Sequence, residues 1–142
     1  TRSALLIELY RWIDIERIRR FTEAISTTSR SFQETVQVLA SAYIHCAADK
    51  TDEFHAVGAA LAGSEEKAAV FQELLDNCVA MFVTVLTPHV NMTPEALHAC
   101  CIGLVGAGEA LSVALTRGRL NETEAVAAFA SLIKGLEQTN ES

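Results

Sequence analysis

The sequence predicts an all-α fold, a bundle of six helices, from three observations. Half of the residues are hydrophobic but only 6% are aromatic, and this composition suits helices better than sheets. Apolar residues recur every three or four positions along most of the chain, whereas no stretch alternates with the period of two expected for a strand. Both prolines lie near one turn-rich stretch, residues 87–94. A chain of 142 residues is expected to fold as one domain.

The first three helices are predicted in the first half of the chain. An apolar helical pattern covers residues 3–25 and is interrupted by a run of Ser and Thr at 26–29. A second helix with a continuous apolar face is expected over about 31–48. Thr51 is the expected N-cap of a short third helix, which Gly63 ends.

The last three helices are predicted from their capping residues as well as their apolar stripes. Ser64 caps the fourth helix, which carries one of the clearest apolar stripes in the chain. Thr93 and Pro94 supply the fifth helix with an N-cap hydroxyl and a proline at its first position, and Gly118 ends that helix. The sixth helix opens with a capping box that begins at Asn121.

The fifth predicted helix, from Pro94 to Arg117, is apolar nearly all the way round and therefore needs cover on every side. Between residues 96 and 115 its polar side chains are His98, Glu109 and Ser112. Each glycine weakens a helix by about 1 kcal/mol relative to alanine. The glycines of this helix are Gly103, Gly106 and Gly108. Because the helix contains three glycines although each lowers its stability, we expect another backbone to approach it closely.

The charge distribution opposes nucleic-acid binding by this chain, because the net charge is −7. Residues 1–30 hold six arginines against four acidic residues, whereas residues 31–142 hold five basic residues against fourteen acidic ones. The arginine-rich first segment is therefore expected to face a different neighbour from the acidic remainder.

The four cysteines have neither CxxC spacing nor the density of a disulfide framework. Each lies inside an apolar helical pattern, where a reduced cysteine behaves as a small hydrophobic residue. These residues are Cys46, Cys78, Cys100 and Cys101. A reducing compartment is therefore predicted, and we expect a cytoplasmic protein.

Two acid-x-x-His pairs, Asp52/His55 and Glu95/His98, resemble part of the ligand set of helical di-iron proteins. Both pairs lie in the first turn of a predicted helix, where acidic residues commonly offset the helix dipole. The additional core glutamates of such proteins are missing apart from Glu109. We therefore predict neither a metal site nor a cofactor.

No catalytic arrangement is predicted. A nucleophilic Cys or Ser needs a positioned base, and the local sequence places none beside Cys100 or Cys101. The glycines of the fifth helix lie within a helix rather than between a strand and a helix, so they form no phosphate-binding loop. We therefore expect that the protein is not an enzyme.

The fifth helix is also long enough to span a bilayer, which is an alternative to burial in a bundle. Glu109 near its middle and His98 inside it would each be costly in hydrocarbon. The other helices are amphipathic, as in a soluble bundle. No membrane contact is therefore predicted.

A small-molecule pocket is predicted between the helices. Aromatic and sulfur-containing side chains are expected to converge on an apolar cavity with a few polar points. Alternatively, they simply fill the core. The predicted effector-binding residues are Trp12, Tyr43, Phe54, His55, Phe71, Cys78 and Phe82. His55 or Tyr43 would offer a hydrogen bond to a mostly apolar or aromatic effector.

The stretch from Leu104 to Ala125, continued by residues 132–136, resembles the end of the TetR-family transcriptional regulators. In that family a long helix of small residues ends in an Arg-Gly-type turn, matched here by Arg117 and Gly118. A leucine and a capped, acidic start of the last helix follow. The family's last helix commonly closes with a Gly-Leu pair, matched at residues 135–136.

The resemblance implies that residues 94–138 pair with their mates in a second subunit as a four-helix dimer interface. It implies that residues 31–93 enclose an effector pocket and that residues 1–26 form a linking helix. A glycine-bearing helix that is apolar nearly all the way round is also what a twofold interface requires. The expected interface residues are Gly106, Ala107, Ala110, Leu111, Phe129, Ile133 and Leu136.

The helix-turn-helix of that family, with its tyrosine, phenylalanine and lysine signature, is absent from these residues, and Tyr10-Arg-Trp12 does not match it. We therefore expect residues 1–142 to be the effector-binding and dimerisation domain of a repressor. Operator DNA would be bound only through a preceding helix-turn-helix. The alternative is a free-standing helical bundle that binds a partner protein or a lipid.

Overall fold

The computed structural model describes residues 2–25, 31–48, 60, 63 and 65–139, and every regular element among them is helical. The predicted all-α class is thereby confirmed, whereas the predicted third helix lies almost entirely outside the described residues. A short 3₁₀ helix, Thr87–His89, joins the third described α-helix to the fourth. The α-helices are α1 (Arg2–Ile25), α2 (Phe32–Ala48), α3 (Glu65–Leu86), α4 (Pro94–Thr116) and α5 (Glu122–Thr139).

The ends of α4 follow from local chemistry, as predicted. The Thr93 hydroxyl oxygen accepts a hydrogen bond from the backbone N–H of Ala96 at 3.2 Å, and Pro94 occupies the first helical position. Gly118 has a φ of 71°, which is costly for any residue with a Cβ. Its N–H donates to the carbonyl of Leu115 at 3.0 Å and closes the helix.

The capping box at the start of α5 is also confirmed. The Asn121 side-chain oxygen accepts from the Glu124 N–H at 2.8 Å, and the Glu124 carboxylate accepts from the Asn121 N–H at 3.0 Å. Two backbone donors that have no partner inside the helix are satisfied in this way.

Replacing Asn121 by Ala should therefore lower the free energy of unfolding by about 1 kcal/mol. Urea denaturation followed by circular dichroism measures the loss. Thr123→Ala is the matched control, because it changes an exposed residue of the same helical turn and leaves both capping bonds in place. Equal stabilities of the two variants would show that the box does not stabilise α5.

The core forms around α2, which packs against α1, α4 and α5, while α3 packs against α1 and α4. Its side chains come from all five described helices. A smaller cluster, in which Tyr10 contacts Val70 and Leu74, ties the first half of α1 to α3. The largest fully buried side chains are Val36, Leu39, Ile44, Phe82, Leu86, Cys101, Phe129 and Ile133.

Candidate functional site

Four aromatic rings meet in the middle of the core, and we call them the aromatic cluster: Phe21, Tyr43, Phe82 and Phe129. The Tyr43 ring makes edge contacts with the other three, with centroid separations of 6.1 Å to Phe21, 5.6 Å to Phe82 and 5.4 Å to Phe129. Edge-to-face geometry is the arrangement that the ring quadrupoles favour. Two predicted pocket residues, Tyr43 and Phe82, are thus brought together by the fold.

Glu109 of α4 is the polar partner of this cluster. The Tyr43 hydroxyl donates a hydrogen bond to Oε1 of Glu109 at 2.6 Å. Tyr43 is buried and the Glu109 side chain is half-buried, so the hydrogen bond lies at the boundary between the core and the surface. A hydrogen bond to a carboxylate is stronger than one between neutral groups. The sequence left open whether Glu109 faces an interface or a pocket, and the structure places it against Tyr43.

Gly108 lets the Tyr43 ring lie directly against the backbone of α4. A Cβ atom at Gly108 would be 2.6 Å from Cε1 of Tyr43 and 3.1 Å from Cζ of Phe129. The same construction at Gly103 and Gly106 meets no atom within 4 Å. Within its own chain, α4 is thus approached closely at Gly108 by aromatic side chains, and the predicted approach of another backbone stays a prediction.

Of the other predicted pocket residues, the structure describes the side chains of Cys78, Phe71 and Trp12. Cys78 is half-buried against the core, and Phe71 is 42% exposed on α3. Phe54 and His55 lie outside the described residues. Trp12 is 60% exposed, which corrects its assignment to the pocket. The reason is that α1 packs through a different face, and Trp12 follows the buried Tyr10 by two residues, which points the two side chains in different directions.

An uncovered apolar face runs along α4, opposite the side that packs in the core. Its exposed residues recur every three or four positions, as expected for one side of a helix. Among them, Ile102 and Val113 are large aliphatic residues that are 53% and 49% exposed. We call this surface the outer face, and its residues are Ala99, Ile102, Gly103, Gly106, Ala110 and Val113.

The predicted interface residues divide into two groups. Gly106 and Ala110 belong to the outer face, whereas Ala107 and Leu111 are half-buried and Leu111 packs against the core. The α5 members of the prediction require correction, because their side chains are buried within their own chain and present no surface to a second subunit. These are Phe129, Ile133 and Leu136. On α5 the exposed large apolar residue is instead Leu132, at 50%.

The reason for this correction lies in the packing of α5. Its strong apolar stripe faces α2 and α4 and completes the core. A helical apolar pattern identifies the side of a helix that is covered, but it does not identify the neighbour that covers it.

The reactive side chains of the described residues are dispersed. No group of three or more His, Cys, Asp and Glu side chains that could hold a metal ion occurs among them. Burial raises the pKa of the Cys101 thiol to about 11, and the neighbouring Cys100 contributes in the same direction. Cys101 is therefore a thiol at neutral pH, whereas a nucleophilic cysteine needs the thiolate.

An open groove of about 520 Å³ lies between α2 and α5. His45 and Glu122 face each other across it, with 3.2 Å between Nδ1 and Oε1. Both side chains are exposed, so their pairing contributes little to stability.

Two helical segments are long and apolar enough to cross a membrane, judged by length and composition alone. They are Ala68–His89 and Pro94–Thr116, and in each 28% of the most apolar part is buried within the chain. The second segment is α4 itself. Its exposed large aliphatic side chains are Ile102 and Val113.

The site therefore combines a buried aromatic cluster, a tyrosine–carboxylate hydrogen bond and an uncovered apolar helix face. Comparisons with known protein families, with curated proteins and with solved structures find no match to this chain.

Proposed function

We propose that the chain is the dimerising, effector-binding part of a cytoplasmic, ligand-responsive transcriptional repressor of the TetR type. The observation that carries the proposal is the outer face of α4. An exposed apolar surface that extends along several turns of a helix marks an interaction site more often than an accident of composition. A second copy of the same chain covers such a face through twofold symmetry.

The composition of the outer face favours a protein partner. Between Glu95 and Arg117 no Asp, Glu, Lys or Arg side chain is fully exposed on α4, and the half-buried Glu109 is hydrogen-bonded to Tyr43. Depletion of charge is the compositional mark of the centre of a protein interface. Gly103 and Gly106 carry no Cβ, so a second helix can approach the α4 backbone closely at those positions.

The effector site is proposed beside the aromatic cluster. Apolar walls with a few convergent polar groups are typical of small-molecule sites, and Tyr43 with Glu109 supplies such a polar point. The effector would be mostly apolar or aromatic. It would act by favouring one arrangement of the two subunits, which requires different affinities for the two arrangements. DNA would be read by a helix-turn-helix outside these residues.

Sedimentation equilibrium tests the dimer. The wild-type chain should sediment at twice the mass of one chain at micromolar concentration. Gly106→Leu should weaken association at least about tenfold, because a leucine side chain would hold the two backbones apart. A monomeric wild-type chain would remove the proposal.

The folded single chain should tolerate the same substitution, which separates association from folding. A Cβ at Gly106 meets no atom within 4 Å, and leucine is a better helix former than glycine. The unfolding midpoint of Gly106→Leu, measured below the dimer dissociation constant, should therefore be no lower than that of the wild type. Loss of association together with loss of fold would not support an interface at Gly106.

The second candidate is lipid binding, which the two long apolar helices favour. Co-flotation with phospholipid vesicles tests it directly. If the wild-type chain floats with vesicles and fails to dimerise in their absence, the outer face binds lipid rather than a second chain.

A further inference from the structure

We propose that Tyr43 sets the orientation of α4, and that the hydrogen bond it donates to Glu109 controls how the outer face is presented to a second chain. The orientation is a property of the single chain. Its effect on association rests on the dimer proposed above.

Tyr43 contacts each of the other four described helices. It reaches α1 through Phe21, α3 through Phe82 and α5 through Phe129. It reaches α4 twice, through its ring against Gly108 and through its hydroxyl to Glu109. A ring held on four sides cannot change rotamer without moving one of these helices, because protein interiors are closely packed.

The two contacts on α4 restrain different movements. The ring against Gly108 fixes how closely α4 approaches α2, since there is no Cβ between them. The bond to Glu109 resists rotation of α4 about its own axis, because that side chain lies to one side of the outer face. Glu109 immediately precedes Ala110 and follows Gly106 by three residues. A rotation that breaks the bond would therefore also turn the residues through which a second chain is expected to pack.

Phe21 extends this linkage to α1. Its ring contacts Tyr43 edge-on and also stacks on Phe82 at 6.3 Å. A displacement of α1 at Phe21 must be transmitted to Tyr43, and from Tyr43 to α4. The linkage is therefore a contiguous set of packed groups that joins α1 to α4 through direct side-chain contacts.

A double-mutant cycle on association tests the proposal. Tyr43→Phe and Glu109→Ala should each weaken dimerisation by about tenfold, within the range usual for coupled sites. The double variant should be no weaker than the weaker single variant, because both substitutions remove the same bond. Ser112→Ala is the matched control. It removes another buried hydroxyl hydrogen bond of α4, from Ser112 to the Gly108 carbonyl at 2.7 Å, and should leave association unchanged.

The proposal is overturned if Tyr43→Phe leaves the dissociation constant within about twofold of the wild type, or if the two single effects simply add. If the wild-type chain is a monomer, the proposed function fails and the orientation of α4 is read from amide hydrogen exchange instead. Tyr43→Phe should then accelerate exchange over residues 103–113 more than Ser112→Ala does. Equal acceleration by the two variants would refute the role of Tyr43.

Discussion

Replacing Phe129 by Ala should lower the free energy of unfolding by about 3 to 5 kcal/mol. The side chain is fully buried, and its ring lies 5.4 Å from that of Tyr43 and 6.0 Å from that of Phe82, measured between centroids. Truncation would leave a cavity at the meeting point of α2, α3 and α5. A domain of this size is stable by roughly 5 to 15 kcal/mol in total, so a large part of its stability would be lost.

Leu132→Ala is the control for this prediction, because Leu132 lies on the same helix and is 50% exposed. Its replacement should cost less than about 1 kcal/mol. Urea denaturation should be carried out well below the concentration at which two chains associate. A loss for Phe129→Ala that appears only at high protein concentration would place this residue in an interface and contradict its burial in the chain.

Alanine should have opposite effects at two glycines of α4. At Gly106 it should stabilise the chain by up to about 1 kcal/mol, because alanine is the better helix former and no atom obstructs its methyl group. At Gly108 the same gain in helix propensity is smaller than the cost of a steric clash. The methyl group would lie 2.6 Å from the Tyr43 ring, and overpacking of this kind costs about 1 to 3 kcal/mol.

A second penalty acts at Gly108. Tyr43 can relieve the clash only by moving, and movement breaks its 2.6 Å bond to Glu109. Loss of a hydrogen bond to a charged group adds about 1.5 to 3 kcal/mol. We expect a net destabilisation of about 1.5 to 5 kcal/mol for Gly108→Ala, measured as a lower unfolding midpoint. The pair of variants is its own control, and a stabilising alanine at both positions would show that Tyr43 does not rest on α4.

The features of the fold that are decided by residues close together in the sequence could be predicted from it. The Thr93–Pro94 start of α4, the positive φ of Gly118 and the capping box at Asn121 are each decided within a few residues. The apolar faces of the helices were predictable for the same reason, since they follow from the helical period.

The contacts between helices were not predictable in this way. Gly106 and Gly108 lie on opposite sides of an apolar helix, and the sequence does not show that Tyr43 packs against Gly108. The Tyr43–Glu109 bond joins residues 66 positions apart, and no local signal records such a distance. The apolar stripe of α5 predicts that this side of the helix is covered, but it does not predict that α2 and α4 of the same chain cover it.

Trp12 gives the protein an optical property. It is the only tryptophan in the sequence, and the structure places it on the surface of α1 rather than in the core. Indole fluorescence from this protein therefore monitors the environment of one helix and is a poor measure of whether the core is folded. A blue shift of that emission would report that something has covered α1, and it would do so without any added label.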